Sequence, residues 1–206
     1  MRGMYGGYSW RNTILCFLLV VVTAPVCLSS ETPVVVRSPG ANFRETYAAR
    51  EVARYFYQRT GVLPQVVESE TVPADRTAVV VGRPGRAAVR ELAERTGAAG
   101  ELEELGLQQY LIRTASSGDA RQVLVTGGTK GGVLYGVYRL AEHMGVRFYM
   151  HGDVIPDGQM PPRLPEVHEH GAPLFNLRGI LPFHDFPEGP DWWNEDAYRA
   201  IISQLP

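Results

Sequence analysis

The sequence is poor in cysteine, and both of its cysteines, Cys16 and Cys27, fall within the first thirty residues. With that stretch removed no disulfide is available, and the fold must be held by its core alone. No run of lysine and arginine occurs and the formal net charge is −2, so the electrostatic footprint of a nucleic-acid binder is missing. The one long apolar run, Ile14–Val22, is shorter than the roughly 20 residues a membrane helix needs. No internal repeat is visible. What remains is an ordinary globular composition, 45% hydrophobic over 206 residues, long enough for one domain and part of another.

The first thirty residues differ in kind. Arg2 and Arg11 precede the apolar run, and small residues lead to Ser29 and Ser30, the pattern of a secretory signal peptide. Residues 1–30 are therefore set aside from the fold, and the protein is expected to be secreted or periplasmic. An uncleaved anchor would need a longer apolar run. A lipoprotein site at Cys27 is poorly matched by Ala24, Pro25 and Val26 before it.

Residues 33–37 form a β-branched run, and Asn42 followed by Glu45 makes a capping-box start for a helix over 43–60, with Gly61 where a left-handed cap is wanted. Phe43, Tyr47, Val52, Tyr55 and Phe56 lie mostly on one stripe, which reads as core. Strands are expected at 63–68 and 77–81, and a helix at 86–96. A Glu-rich connection over 97–107 has short helical character at best. Strands at 109–114 and 122–126 form a hairpin, and a helix over 133–144 stops at Gly145. The order β-α-β-β-α-β-β-α predicts an α+β or α/β domain over 31–150, a mixed sheet with helices packed on it. From 151 to 173 prolines accumulate, which predicts a linker. A fresh strand over 174–181, a polar and aromatic loop and a helical segment over 195–205 follow. These cannot bury a core of their own, so 174–206 reads as the start of a second domain.

The stretch Gly127–Leu140, GGTKGGVLYGVYRL, carries a lysine among glycines after a strand. It lacks the order in which lysine directly precedes a hydroxyl residue at the helix start, and no parallel strand with an acidic residue follows at the dinucleotide distance. A nucleotide cradle is therefore excluded; the glycines let the chain turn sharply and the helix lie close to the sheet. The histidines 143, 151, 168 and 170 raise a metal reading, and His168-Glu169-His170 is a short donor cluster, yet no third and fourth ligand stand at useful spacing. No metal and no cofactor is expected.

Read as strand, G-x-T-x-x-G, Tyr135-Gly136 and Leu140, residues 123–144 resemble the end of the small non-catalytic domain that precedes the barrel in family 20 hexosaminidases and family 67 α-glucuronidases. The resemblance extends over 33–149. It implies a packing module with no chemistry of its own beside a (β/α)8 catalytic domain. Leu177-Arg178-Gly179 resembles the first barrel strand of these glycosidases, so 174–206 would be the first strand-helix unit of a truncated barrel. In hexosaminidases the matching arginine holds a sugar hydroxyl, which implies that role for Arg178, although Pro182, Phe183 and His184 intervene before Asp185.

Barrel active sites lie at the C-terminal ends of the strands, here His184, Asp185 and the loop through Trp193. Trp192 and Trp193 offer flat faces for a sugar ring, and His184, Asp185 and Asn194 offer directional hydrogen bonds. Each also has a packing or capping reading. Glycosidases need two carboxyl groups about 5–9.5 Å apart, or one with substrate assistance, and those of the resembling families come from later strands. None can be nominated from Asp185, Glu188, Asp191, Glu195 or Asp196. The sequence thus predicts the N-terminal part of an exported glycoside hydrolase, inert by itself, that meets carbohydrate through its barrel. The alternative is an exported carbohydrate-binding or interaction module with Trp192 and Trp193 as its platform.

Overall fold

The computed structural model describes residues 32–117, 120–179 and 190–204. A six-stranded sheet of order β2-β1-β3-β5-β4-β8 organises the chain. Strands β1 (Val34–Arg37), β2 (Gln65–Glu68), β3 (Ala78–Gly82) and β5 (Ala120–Gly127) run parallel, whereas β4 (Tyr110–Ser117) and β8 (His168–Gly171) join antiparallel. The sheet is mixed with helices packed on it, as the sequence predicts.

The central strands read as unbroken apolar runs because both faces are covered. Val35, Val79, Val81, Val123 and Val125 face α1 (Phe43–Thr60) and α4 (Lys130–His143). Val34, Val36, Val80 and Leu124 face α2 (Ala87–Arg95) on the other side, with the short α3 (Ala99–Glu103) beside it. The capping box forms as expected: the Asn42 side chain accepts from the N–H groups of Arg44 and Glu45, and Glu45 returns a bond to the Asn42 N–H. Gly61 ends α1 at φ 74°. Tyr55 and Phe56 are core, but Phe43 is 82% exposed and stacks on the half-exposed Tyr47 at 6.4 Å.

The glycine turn explains how α4 seats. Thr129 caps α4, accepting from the N–H of Gly132 at 3.3 Å and donating to the Leu107 carbonyl at 2.6 Å. The helix thus starts three residues earlier than periodicity suggests, and Lys130 points to solvent. A Cβ on Gly136 would lie 3.0 Å from the Val125 side chain, so the helix rides directly on the sheet.

Residues 151–173, read from their prolines as a linker, are built into the domain. Strand β6 (Arg147–Tyr149) pairs with β7 (Gly152–Val154), and β8 becomes the edge strand beside β4. Leu164 and Val167 are buried in the α1/α4 core. Arg59 clasps the segment, donating to the carbonyls of Met144 at 2.7 Å, Pro156 at 2.8 Å and Gly158 at 2.6 Å. Prolines bar a segment from a sheet interior, not from an edge or from packing as irregular chain.

The strand expected over 174–181 is not formed at 174–179, and residues 180–189 lie outside the described part. Leu174 and Leu177 are 94% and 91% exposed, and no strand among the described residues pairs with them. A single 3₁₀ turn (Pro190–Trp192) then leads to α5 (Glu195–Ser203). Among the described residues no helix is long and apolar enough to cross a membrane.

Candidate functional site

In an open parallel sheet the place for a ligand is the crevice where successive crossovers diverge. Here that is the gap between β1, whose chain leaves to α1, and β3, whose chain leaves to α2 on the opposite face. Glu45 fills it. Its fully buried carboxylate accepts from Arg86 at 2.6 and 3.0 Å, from the Arg83 N–H at 3.0 Å and from the Asn42 N–H at 3.1 Å. Burial raises the pKa of this carboxyl, but the bonds from Arg86 and the two backbone N–H groups outweigh that and hold it at about 2. The chain's own anion stands where such folds hold a phosphate.

A groove of about 620 Å³ lies elsewhere, over α1 and α4. Tyr47, Glu51, Arg54 and Tyr55 come from α1, and Tyr135, Tyr138, Arg139 and Glu142 from α4; Phe148 and Asp153 of the β6/β7 hairpin close one side. The floor is aromatic, since Tyr55, Tyr138 and Phe148 meet edge to face at 5.2–6.3 Å. Each wall sets one guanidinium against two carboxylates. Arg54 grips Glu51 through two bonds of 2.9 Å, reaches Asp153 at 3.3 Å and lies over the Tyr55 ring at 4.0 Å, while the Tyr55 hydroxyl donates to Asp153 at 3.0 Å.

On the other wall Arg139 bonds Glu142 at 2.9 Å and Glu169 at 2.8 and 3.0 Å. The Tyr110 hydroxyl donates to Glu169 at 2.6 Å, passing over Gly171, where any side chain would strike its ring. Burial alone would raise the Glu169 pKa; the bonds from Tyr110, Arg139 and His143 bring it to about 2. Burial pushes the Tyr55, Tyr110 and Tyr138 hydroxyls up. The groove therefore presents fixed hydroxyl and guanidinium donors over an aromatic floor, with its arginines already paired to carboxylates. These donors are committed to the carboxylates beside them, and no side chain is set up as an activated nucleophile.

Of the residues the sequence nominated, Arg178 lies at this groove's border, its guanidinium 5.8 Å from the centre of the Tyr135 ring and donating to the Phe175 carbonyl at 2.7 Å. Trp192 is 67% exposed, whereas Trp193 packs edge-on against Tyr198 at 5.4 Å. Asn194 caps α5. His184 and Asp185 lie outside the described residues. Glu169 of the His168-Glu169-His170 cluster is taken up by Arg139, Tyr110 and His143, and His170 by Gln109 at 3.0 Å. Among the described residues no group of three or more histidine, cysteine or acidic side chains is placed to hold a metal. Helical periodicity does not mark the groove, because Tyr47 and Tyr55 share their stripe with the core residues Val52 and Phe56. The available signal was the matching i,i+3 pairs, Glu51–Arg54 and Arg139–Glu142, beside tyrosines on both helices.

The family described as glycosyl hydrolase family 67 N-terminus matches residues 31–140, more than half of the chain, from just before β1 into α4. Among solved structures the chain is similar to a family GH115 4-O-methyl-α-glucuronidase with specificity for decorated arabinogalactans, at 18% identity and a TM-score of 0.40, over 57% of this chain and 14% of that one. It is also similar to a GH138 enzyme targeting pectin rhamnogalacturonan II, at 12% identity and a TM-score of 0.34, over 55% of this chain and 13% of that one. The chain thus covers well under two thirds of either enzyme's length. No curated protein matches it significantly.

Proposed function

Because the chain belongs to the glycosyl hydrolase family 67 N-terminus family, we propose that it works as the accessory domain of an exported carbohydrate-cleaving enzyme, packing beside a barrel that residues 174–206 open. The family match over β1 to α4 carries this reading. The physics of the groove supports it: its ion pairs are satisfied internally and its hydroxyls stay protonated, so it suits packing rather than bond cleavage. Glycoside hydrolysis needs correctly spaced carboxyls and water, which the reading assigns to later barrel strands, together with the sugar contacts. No cofactor is called on. Residues 1–30 act as the export signal.

Titration of the purified chain with oligosaccharides bearing glucuronosyl or N-acetylhexosaminyl ends, followed by tryptophan fluorescence, tests this. No saturable change and no hydrolysis of the matching aryl glycosides are expected. The exposed Trp192 favours a second reading, a carbohydrate-binding module, and saturable binding by the monomer would select it.

A further inference from the structure

The groove over α1 and α4 carries more acid than base. Glu51, Glu142 and Asp153 line it against Arg54 and Arg139, and Glu169, which Arg139 also holds, makes four carboxylates to two guanidinium groups. His143, on Glu169 at 2.8 Å, adds a positive charge only when protonated. The pairing also leaves oxygens over. Asp153 takes both Arg54 and the Tyr55 hydroxyl on Oδ2, and Glu142 takes Arg139 on Oε2. Among the described residues no hydrogen bond reaches Asp153 Oδ1 or Glu142 Oε1, although an ionised carboxylate accepts at both oxygens. Between the walls lie the half-buried rings of Tyr138 and Phe148. Burial keeps the Tyr138 hydroxyl protonated, so these rings offer aromatic faces without a charge of their own.

Surplus negative charge around neutral rings is the complement of an organic cation. The chain itself lays guanidinium groups on this surface: Arg54 stands 4.0 Å from the centre of the Tyr55 ring, and Arg178, at the border, 5.8 Å from that of Tyr135. We propose that the groove is a docking site for a cation, and that its occupant is an arginine side chain on the surface of a partner protein. A guanidinium is planar and weakly hydrated, so it can lie on the Tyr138 and Phe148 rings while its N–H fork reaches the open oxygens of Asp153 and Glu142; a lysine ammonium holds its water more tightly and has no flat face. The volume, about 620 Å³, is that of an ordinary ligand site and admits the stem of the side chain with its head. The inference rests on the packing-module reading and names the chemistry of the surface against which the module packs.

Titration of the isotope-labelled chain with an acetylated Gly-Arg-Gly-Arg-Gly amide, followed by two-dimensional NMR, tests the site. Saturable shifts are expected at the amides of 47–55, 135–142 and 148–153. The matching lysine peptide should bind about threefold more weakly, and the glutamate peptide should leave the spectrum unmoved. Asp153→Asn and Glu142→Gln each remove one surplus charge and keep the side-chain shape, and each should weaken the arginine peptide by about threefold. Glu68→Gln makes the same change of charge in β2, outside the groove, and should bind like the parent; the spectrum of each variant shows that it is folded. No saturable shift, equal binding of the lysine peptide, or equal weakening by all three variants overturns the arginine site. Those failures leave the packing-module reading standing, because the oligosaccharide titration decides it separately. If a glucosamine oligomer, a cationic sugar, produces the groove shifts and the Asp153→Asn, Glu142→Gln double variant abolishes them, the occupant is a glycan and both readings fall.

Discussion

Gly127 and Gly132 meet across the strand-to-helix turn so closely that a Cβ on Gly127 would stand 2.7 Å from the Cα of Gly132 and closer still to the peptide bond between Gly132 and Val133. Gly132 in turn faces the Gln109 carbonyl oxygen with no room for a methyl group. Neither neighbour can swing aside, because both are backbone. Gly127→Ala and Gly132→Ala should each cost about 3 kcal/mol or more, the upper end of overpacking penalties. Gly131, next to them, meets only the Thr129 hydroxyl at 3.7 Å, so Gly131→Ala should be neutral or stabilise by up to about 1 kcal/mol. Urea unfolding of the three variants gives the contrast, and equal losses would refute it.

Glu45 makes stability depend on acid. Its folded pKa is about 2 against an ordinary 4.5, so its contribution is complete above pH 4.5 and declines as the pH falls toward 2. The difference corresponds to on the order of 3 kcal/mol. Glu169, also at about 2, adds to the same slope. Thermal melts between pH 7 and pH 2 should show the loss in the parent and a shallower slope in Glu45→Gln, which starts lower because Arg86 keeps its charge without a counterion.

Arg59 donates to three carbonyls between Met144 and Gly158 and is itself buried. Arg59→Met should cost about 2–4 kcal/mol by orphaning those acceptors. Arg59→Lys should recover less than half, since an ammonium lacks the planar fork. Melting temperatures of the pair measure this, and full recovery by lysine would contradict the fork's role.

Limited proteolysis separates the two accounts of residues 151–173. A free linker would be cut there. The buried Leu164 and Val167 and the β8 ladder instead predict resistance through Gly171, with thermolysin cutting first at Leu174, Phe175 or Leu177, where the side chains are exposed.

What the sequence made readable was local. Asn42 with Glu45, Gly61 and the β4/β5 hairpin announce themselves because the residue types satisfy backbone groups a few positions away. Strand β8 does not: His168-Glu169-His170-Gly171 carries no apolar alternation, and its partner Tyr110–Arg113 lies some sixty residues earlier. Phe43 and Tyr47 share the stripe of Tyr55 and Phe56, yet they are exposed; periodicity gives an angle around a helix, not where the core stops. The groove was hidden for the same reason, since Tyr135 and Tyr138 join Tyr55 only once α1 and α4 lie side by side. Arg178 reaches Tyr135 through a chain path with no periodic signal at all.

The carboxylate that fills the crevice between β1 and β3 also settles how this domain behaves in time. A fold that borrows its anion from solution has loaded and empty forms, and its outer helices shift with supply. Here the anion is encoded, arrives with every copy of the chain and never leaves. Glu45 therefore ties the start of α1 to the β3–α2 turn in every copy of the chain, with no ligand to gain or lose.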